Sequence, residues 1–347
     1  MKIRAAVLFQ VNKPLVVEEL LIPELKPGQV LVKVAYSGIC HSQLNEIAGF
    51  NGEDKYLPHT LGHEGSGEVV DIGPGVKKVK VGNQVVLTWI KGAGETVTGT
   101  CYLRKDGSKI NAGPVTTFSN YSIVSESRVV PISKNIKLKA MALLGCAIPT
   151  GAGIAVNTAK VHPGSKVAIF GVGGIGLSAV IGCKLREAKT IIAVDIESHK
   201  LELAQELGCT HLINASQNDS LKQIFDITQG EGVDYAIEAS GNEKVMETAF
   251  QSISKNGLCV VAGNLRQGKT ISIDPMELIK GKRILGTWGG ETKPDRDIPI
   301  YANLYQSNKI KLDKLLTQTY SLSDINQALE DMKKGKVIRA MINMALD

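Results

Sequence analysis

Residues 166–176 read KVAIFGVGGIG and residues 190–195 read TIIAVD. The first five are an apolar run of strand length that enters Gly171-Val172-Gly173-Gly174-Ile175-Gly176. A helical period follows over 175–188, and the second apolar run ends in Asp195. Strand, glycine turn, helix and strand in that order predict a βαβ unit with parallel strands. In a G-x-G-x-x-G at such a junction, the first glycine permits the turn and the second brings the backbone close to a pyrophosphate. The third lets the helix pack against the strand. The helix N-terminus offers free N–H groups and a positive dipole end to the phosphates. Asp195 stands where an acid accepts hydrogen bonds from the adenosine ribose, and its charge repels a 2′-phosphate, so NAD is expected rather than NADP. Lys200 is a candidate ribose contact or a solvated helix position.

Outward from this unit, HKLELAQELG (199–208) is amphipathic and stops at Gly208, while GVDYAIEAS (232–240) and LCVVAG (258–263) repeat the strand pattern. Continuous apolar strands alternating with helices predict a doubly wound parallel sheet covered on both faces, assigned to residues 148–289. Residues 1–135 have another rhythm: short strands such as VLVKVAYSG, GEVVDIGPGV and NQVVLTWI, cut by Gly and Pro turns, point to an all-β, barrel-like module. After residue 290, DRDIPIYANLYQSNKI and LSDINQALEDMKKG read as helices, the second with Ser323 as N-cap and Gly335 as its stop; VIRAMINMAL (337–346) reads as a last strand. These final residues return to the first module, giving a discontinuous domain of residues 1–147 with 290–347.

A chain of 347 residues suits two domains. Forty basic against thirty-four acidic side chains give +6, but the lysines are scattered rather than striped, so nucleic acid is not an expected partner. No window of eighteen uncharged apolar residues exists, and the apolar run in MKIRAAVLFQ is too short for a secretory signal; no membrane association and a cytoplasmic location are expected. Six cysteines lack the density of a disulfide scaffold, which leaves thiols and metal ligands.

Cys40-His41-Ser42, Leu61-Gly62-His63-Glu64-Gly65 and Leu144-Gly145-Cys146 supply two thiolates, an imidazole and a carboxylate from separate turns. Two Cys and one His form a ligand set of catalytic zinc, where the fourth position stays open to water or substrate. Cys183, Cys209 and Cys259 read as small buried apolar residues, and His59, His162, His199 and His211 as surface or structural.

GICHSQ, LGHEGSGEVVDIGPGV, LLGCAIPTGAGIAVNTAKVHPGS, GVGGIG, AVDIESHK, GVDYAIEASGN and the terminal GKVIRAMIN resemble the zinc-containing medium-chain alcohol dehydrogenases over nearly the full length, most closely the class III branch. The resemblance implies a GroES-like β-barrel catalytic domain beside a Rossmann coenzyme domain, and hydride transfer between NAD and an alcohol or carbonyl substrate. It implies zinc on Cys40, His63 and Cys146, with Glu64 as an exchanging ligand or behind the ligands, and Ser42 as the group that takes the alcohol proton. His41 and Arg339 fall at pyrophosphate contacts, Thr150 at a nicotinamide contact and Trp89 in the pocket wall. Pairing of sheets between nucleotide domains implies a homodimer or homotetramer.

Three positions depart from the family. The segment WIKGAGETVTGTCYLRKDGSKINAGPVTTF contains only Cys101, so the four-cysteine structural zinc site is absent and one zinc per chain is expected. That segment also lacks the arginine with which class III binds glutathione. Gln43 replaces an aspartate that orients the imidazole ligand, and Asn45 replaces a relay histidine; an amide does not titrate near neutrality. Two alternatives stand beside the alcohol dehydrogenase reading. One is a polyol, sugar or nucleotide-sugar dehydrogenase, with Lys105, Asp106 and Lys109 near the pocket rim. The other is a zinc-free or non-catalytic NAD(P)-binding relative, from which the Cys/His/Cys set discriminates.

Overall fold

The computed structural model describes residues 1–50 and 52–346. They divide into two compact units, one of residues 1–146 with the segment from Lys293 onward, the other Ala147–Thr292. The first unit ends at Cys146 rather than at residue 147 and resumes at Lys293 rather than at 290.

Within Ala147–Thr292, six strands form one sheet in the order His211–Asn214, Thr190–Asp195, Lys166–Phe170, Val233–Glu238, Ile253–Val261, Arg283–Gly286. Every neighbouring pair is parallel. Val167, Ala168, Ile169 and Phe170 are all buried, as a strand with helices over both faces must be. Helix Gly174–Leu185 leaves the first strand, and Ser198–Leu207 follows the second and ends at Gly208. Asp219 and Asn242 cap the helices Ser220–Ile227 and Glu243–Ser252 by accepting from backbone N–H groups of their first turns. The chain direction across the sheet reverses between Lys166–Phe170 and Val233–Glu238, and a crevice opens at the carboxyl ends of such strands.

The other unit combines a closed five-stranded barrel with a seven-stranded sheet. Strand Gln29–Gly38 organises the latter, pairing with Glu64–Ile72, Tyr121–Ser125 and Ala340–Asn343. Its side chains alternate: Val30, Val32 and Val34 pack in one apolar cluster and Leu31 in another with Ile3, Tyr102 and Ile110. Two expectations at the C-terminal end need correction. The last strand is only Ala340–Asn343, because pairing with Gln29–Gly38 spans just Met341 to Asn343. The preceding helix is Ile325–Lys333 with Asp324, not Ser323, at its N-cap; Ser321 Oγ donates to the Asp324 carboxylate at 2.8 Å, extending the turn before the helix starts.

The segment with the lone Cys101 folds as a hairpin, Thr100–Leu103 with Lys109–Ala112, built into the barrel. Tyr102 is fully buried there and its hydroxyl accepts from the Ile123 N–H at 2.8 Å. The loop before the hairpin is tied by the buried Glu126, whose carboxylate accepts from the backbone N–H groups of Lys77, Lys78 and Glu95 at 2.6–2.7 Å.

Candidate active site

Three pieces of backbone deliver the metal-ligating set. Cys40 precedes helix His41–Ile47, His63 immediately precedes strand Glu64–Ile72, and Cys146 follows the 3-10 turn Ala142–Gly145. Close backbone approach is what lets them meet: a Cβ on Gly145 would lie 2.7 Å from Glu64 Cα. The donor atoms of Cys40, His63 and Cys146 all lie within 4.8 Å of one another. Zinc bonds of about 2.3 Å to sulfur and about 2.0–2.1 Å to nitrogen hold tetrahedral donors roughly 4 Å apart, so the donor set fits zinc in chemistry and in spacing.

The two sulfurs are unequal. The Cys146 S–H hydrogen-bonds to Cys40 and, against the penalty of burial, holds the Cys40 thiol well below its ordinary value, with Arg339 and His63 adding to the effect. Cys146 is pushed up by the same hydrogen bond and by burial. Glu64 does not join the donor set: its carboxylate, fully buried, accepts from Arg339 Nη2. Burial alone would lower Arg339, but Glu64, Cys40 and Cys146 outweigh it. Two thiolates would neutralise a bound dication, and Glu64 and Arg339 neutralise each other, so the buried cluster carries no net charge, as low dielectric demands.

Gln43, 1% exposed, bridges the ligands. Its Oε1 accepts from the Cys40 N–H at 3.0 Å and its Nε2 lies 2.5 Å from His63 Nδ1. The amide thus holds the ring where the replaced aspartate was expected to be missed. Ser42 Oγ is buried and has no hydrogen-bond partner among the described residues. His41 opens the same helix and is exposed.

A cavity of about 940 Å³ opens beside His63, lined among others by Gln43, His59, Trp89, Lys109 and Arg128. The Trp89 ring stands edge-on to His63 with centroids 6.4 Å apart. Of two further residues here, His59 reads from the sequence only as surface or structural, and Arg128 is not singled out. His59 is buried on the cavity wall, with Nδ1 3.0 Å from the Thr60 carbonyl and Nε2 2.8 Å from the Asp54 carboxylate; Asp54 five positions earlier was the one available hint. Arg128, placed in a 3-10 turn between two strands, gave none. Lys105 and Asp106 do not line the cavity: Lys105 pairs with Glu19 at 3.1 Å and Asp106 accepts from Ser108.

In the Ala147–Thr292 unit, Gly171 has φ +81° and comes so near the Ser240 backbone that a Cβ would lie 2.9 Å from its nitrogen. A Cβ on Gly176 would collide with the Gly171 carbonyl, so helix and turn pack through glycine alone. Gly173 is the N-cap of helix Gly174–Leu185, and a Cβ there meets nothing within 4 Å, which leaves open space on that side of the turn. The Val172 N–H donates to Asp195 Oδ2 at 2.8 Å, while Asp195 Oδ1 accepts from the N–H groups of Ile196 and Glu197. Ile175 lies in the helix's first turn. Beside them is a largely apolar cleft of about 400 Å³ bounded by Gly171, Asp195, Ile196, Ser240 and Val245, large enough for an adenine ring. Lys200 lies in helix Ser198–Leu207 outside this lining. Thr150 lies in helix Ala147–Gly153, its hydroxyl buried without a partner among the described residues.

Residues 26–134 match the alcohol dehydrogenase GroES-like domain and residues 174–307 the zinc-binding dehydrogenase domain. S-(hydroxymethyl)glutathione dehydrogenases of Synechocystis sp. and Paracoccus denitrificans are 35% and 34% identical to the chain, over 99% of it and 100% of their own lengths. Among solved structures, an alcohol dehydrogenase zinc-binding domain protein from Burkholderia ambifaria is 31% identical with a TM-score of 0.93, covering 99% of each chain. Benzyl alcohol dehydrogenase from Acinetobacter calcoaceticus is 32% identical with a TM-score of 0.90, also over 99% of each chain. With its ligand set, its glycine turn and these relatives, the chain belongs to the zinc-containing medium-chain alcohol dehydrogenase family, as an oxidoreductase acting on alcohols with NAD.

Proposed function

We propose that this chain is a one-zinc, NAD-preferring dehydrogenase of small alcohols or their carbonyl counterparts, akin to the class III branch in overall likeness but without its glutathione dependence. The observation that carries the reading is the convergence of Cys40, His63 and Cys146 from three separated segments onto one point beside a cavity. When bound, zinc supplies Lewis-acid polarisation of the substrate oxygen and NAD supplies the hydride acceptor. Cys40, His63 and Cys146 would hold the metal, the two thiolates balancing its charge, while Glu64 and Arg339 pair with each other. Ser42 Oγ, buried and unpartnered, is the group that takes the alcohol proton. Gly171 to Gly176 cradle the pyrophosphate, and Asp195 accepts from the ribose and disfavours a 2′-phosphate. Contacts to the coenzyme from His41, Thr150, Lys200 and Arg339 belong to the same proposal.

We expect no structural zinc: the segment holds only Cys101, and its hairpin is packed by Tyr102 and Ile110 in the barrel core and by the Glu126 tie. The alignment with the Synechocystis relative runs over 369 positions against 347 residues here, so gaps open in this chain. Benzyl alcohol, named for the Acinetobacter relative, is of a size the cavity beside Trp89 accommodates. In solution we expect a homodimer or homotetramer.

A screen of alcohols and aldehydes following cofactor absorbance, with NAD and NADP compared, tests this reading together with elemental analysis. One zinc per chain and NAD preference are expected; two zincs or NADP preference overturn the corresponding part. Cys146→Ser is expected to lose both the zinc and turnover while retaining NAD binding. Turnover by that variant, stripped of zinc, refutes the metal assignment.

A further inference from the structure

Arg128 is the one arginine on the wall of the cavity beside His63. Its Nη1 donates to the Trp89 carbonyl, and its Nε is buried with no acceptor among the described residues. No carboxylate within ion-pair distance of its guanidinium is found among the described residues. Burial accordingly pulls its pKa below the ordinary value. The acidic groups that share the cavity are committed elsewhere: Asp54 to His59 at 2.8 Å and to the Tyr56 N–H at 2.9 Å, and Glu46 toward His59 at 4.0 Å. Lys26 and Lys109 add further positive charge to the same wall.

A half-buried guanidinium without a counter-ion is costly to keep unless something brings the charge, and its planar fork matches a carboxylate. Position sets the rest of the substrate. Arg128 binds the main chain of Trp89, whose ring faces His63 at a centroid distance of 6.4 Å. Arg128 and His63 line one cavity, so an anion on the guanidinium shares that cavity with a group presented to the metal-ligating set. Resting on the dehydrogenase reading above, we propose that Arg128 is a specificity residue and that the preferred substrates are short alcohols or aldehydes carrying a carboxylate at the end away from the carbinol, on a body of the size of benzyl alcohol, named for the Acinetobacter relative. The carboxylate docks on Arg128 and the carbinol end points to Ser42 and the zinc ligands.

The test compares 4-(hydroxymethyl)benzoate with benzyl alcohol on the zinc-loaded enzyme with NAD. The proposal expects kcat/KM for the carboxylate to exceed that for benzyl alcohol by at least about 10-fold, chiefly through KM. It also expects Arg128→Met to lower the ratio of the two by about 100-fold, the loss expected of a charge-assisted bidentate contact. Benzoate inhibition, competitive with the alcohol, is read alongside, and its affinity is expected to fall in parallel. Arg128→Lys, which keeps charge but not the fork, covers the case in which the Met variant fails to fold and is expected to lower the ratio less. Turnover of benzyl alcohol with no advantage for the carboxylate, or a ratio unmoved in both variants, overturns the inference and leaves the dehydrogenase reading intact. Preference for S-(hydroxymethyl)glutathione over 4-(hydroxymethyl)benzoate overturns the short-substrate assignment. Failure to oxidise either test alcohol, with zinc and NAD shown to be bound, counts against the dehydrogenase reading itself.

Discussion

Between Cys40 and Cys146 a single hydrogen bond makes one sulfur readily anionic and the other reluctant, and Arg339 supplies the nearby positive charge that favours the thiolate. Gln43 is the residue that turns two of these ligands into a fixed geometry, since one amide reaches the main chain of Cys40 and the ring of His63. Groups that orient metal-ligating imidazoles are typically worth 10–100-fold in affinity. Gln43→Leu keeps the volume and removes both hydrogen bonds; zinc affinity is expected to drop by about that factor, measured by competition with a chelator. An unchanged affinity would mean that packing alone holds the His63 ring.

Two elements translate side-chain chemistry into shape. In the glycine turn, Asp195 accepts from the Val172 N–H and so ties the loop to the end of the neighbouring strand. Asp195→Ala removes that charge-assisted bond together with the acceptor proposed above for the ribose. A loss of about 1.5–3 kcal/mol, or roughly 10–100-fold in NAD affinity, is expected by fluorescence titration, with NADP weakened less. In the other unit Glu126 holds the loop ahead of the short hairpin. Burial by itself would raise its carboxyl, but the N–H groups of Glu95, Lys78 and Lys77 and the Lys78 charge overcome that and lower it. A group depressed in the folded chain stabilises it above the unfolded-state value and loses that contribution as pH falls through the folded value. Glu126→Gln, which turns an NH₂ toward a backbone donor, is therefore expected to cost about 1–3 kcal/mol at neutral pH. In denaturant melts the gap from the parent should narrow as pH falls below the ordinary carboxylate value of about 4.3 and close as Glu126 protonates in the folded chain; a gap that does not change with pH below that value would argue against a carboxylate tie.

At the scale of the whole molecule, the nucleotide sheet ends in an open edge. Among the described residues, strand Arg283–Gly286 pairs on one side only, with Ile253–Val261. Leu285 is 47% and the nearby Trp288 79% exposed. An unprotected edge beside apolar side chains favours pairing with another copy. Leu285→Lys is expected to shift the enzyme toward monomer in sedimentation velocity while NAD binding persists; an unchanged sedimentation coefficient would locate the contact elsewhere. No single helix among the described residues is long and apolar enough to cross a membrane.

Much of this was legible in one dimension because its signals are local. Glycines that must be glycine, an acid at the end of the second strand and alternating apolar runs all report on backbone within a few residues, and so does a ligand triplet with characteristic flanks. Ser323 is not the cap because Ser321 bonds to Asp324, three positions on, and carries the turn one residue further. What the sequence by itself determined is the family and the residue types that suit its chemistry: two thiols and an imidazole of the kind that binds zinc, and a glycine turn of the kind that cradles a dinucleotide. Only the tertiary structure decided where charges rest. Glu64 turns to Arg339, 275 positions away, and Gln43 takes over the His63 ring from 20 positions away. Arg128 is left on a cavity wall without a counter-ion among the described residues. Such pairings depend on which buried groups lie within a few ångströms of each other, and that is set by packing rather than by distance along the chain.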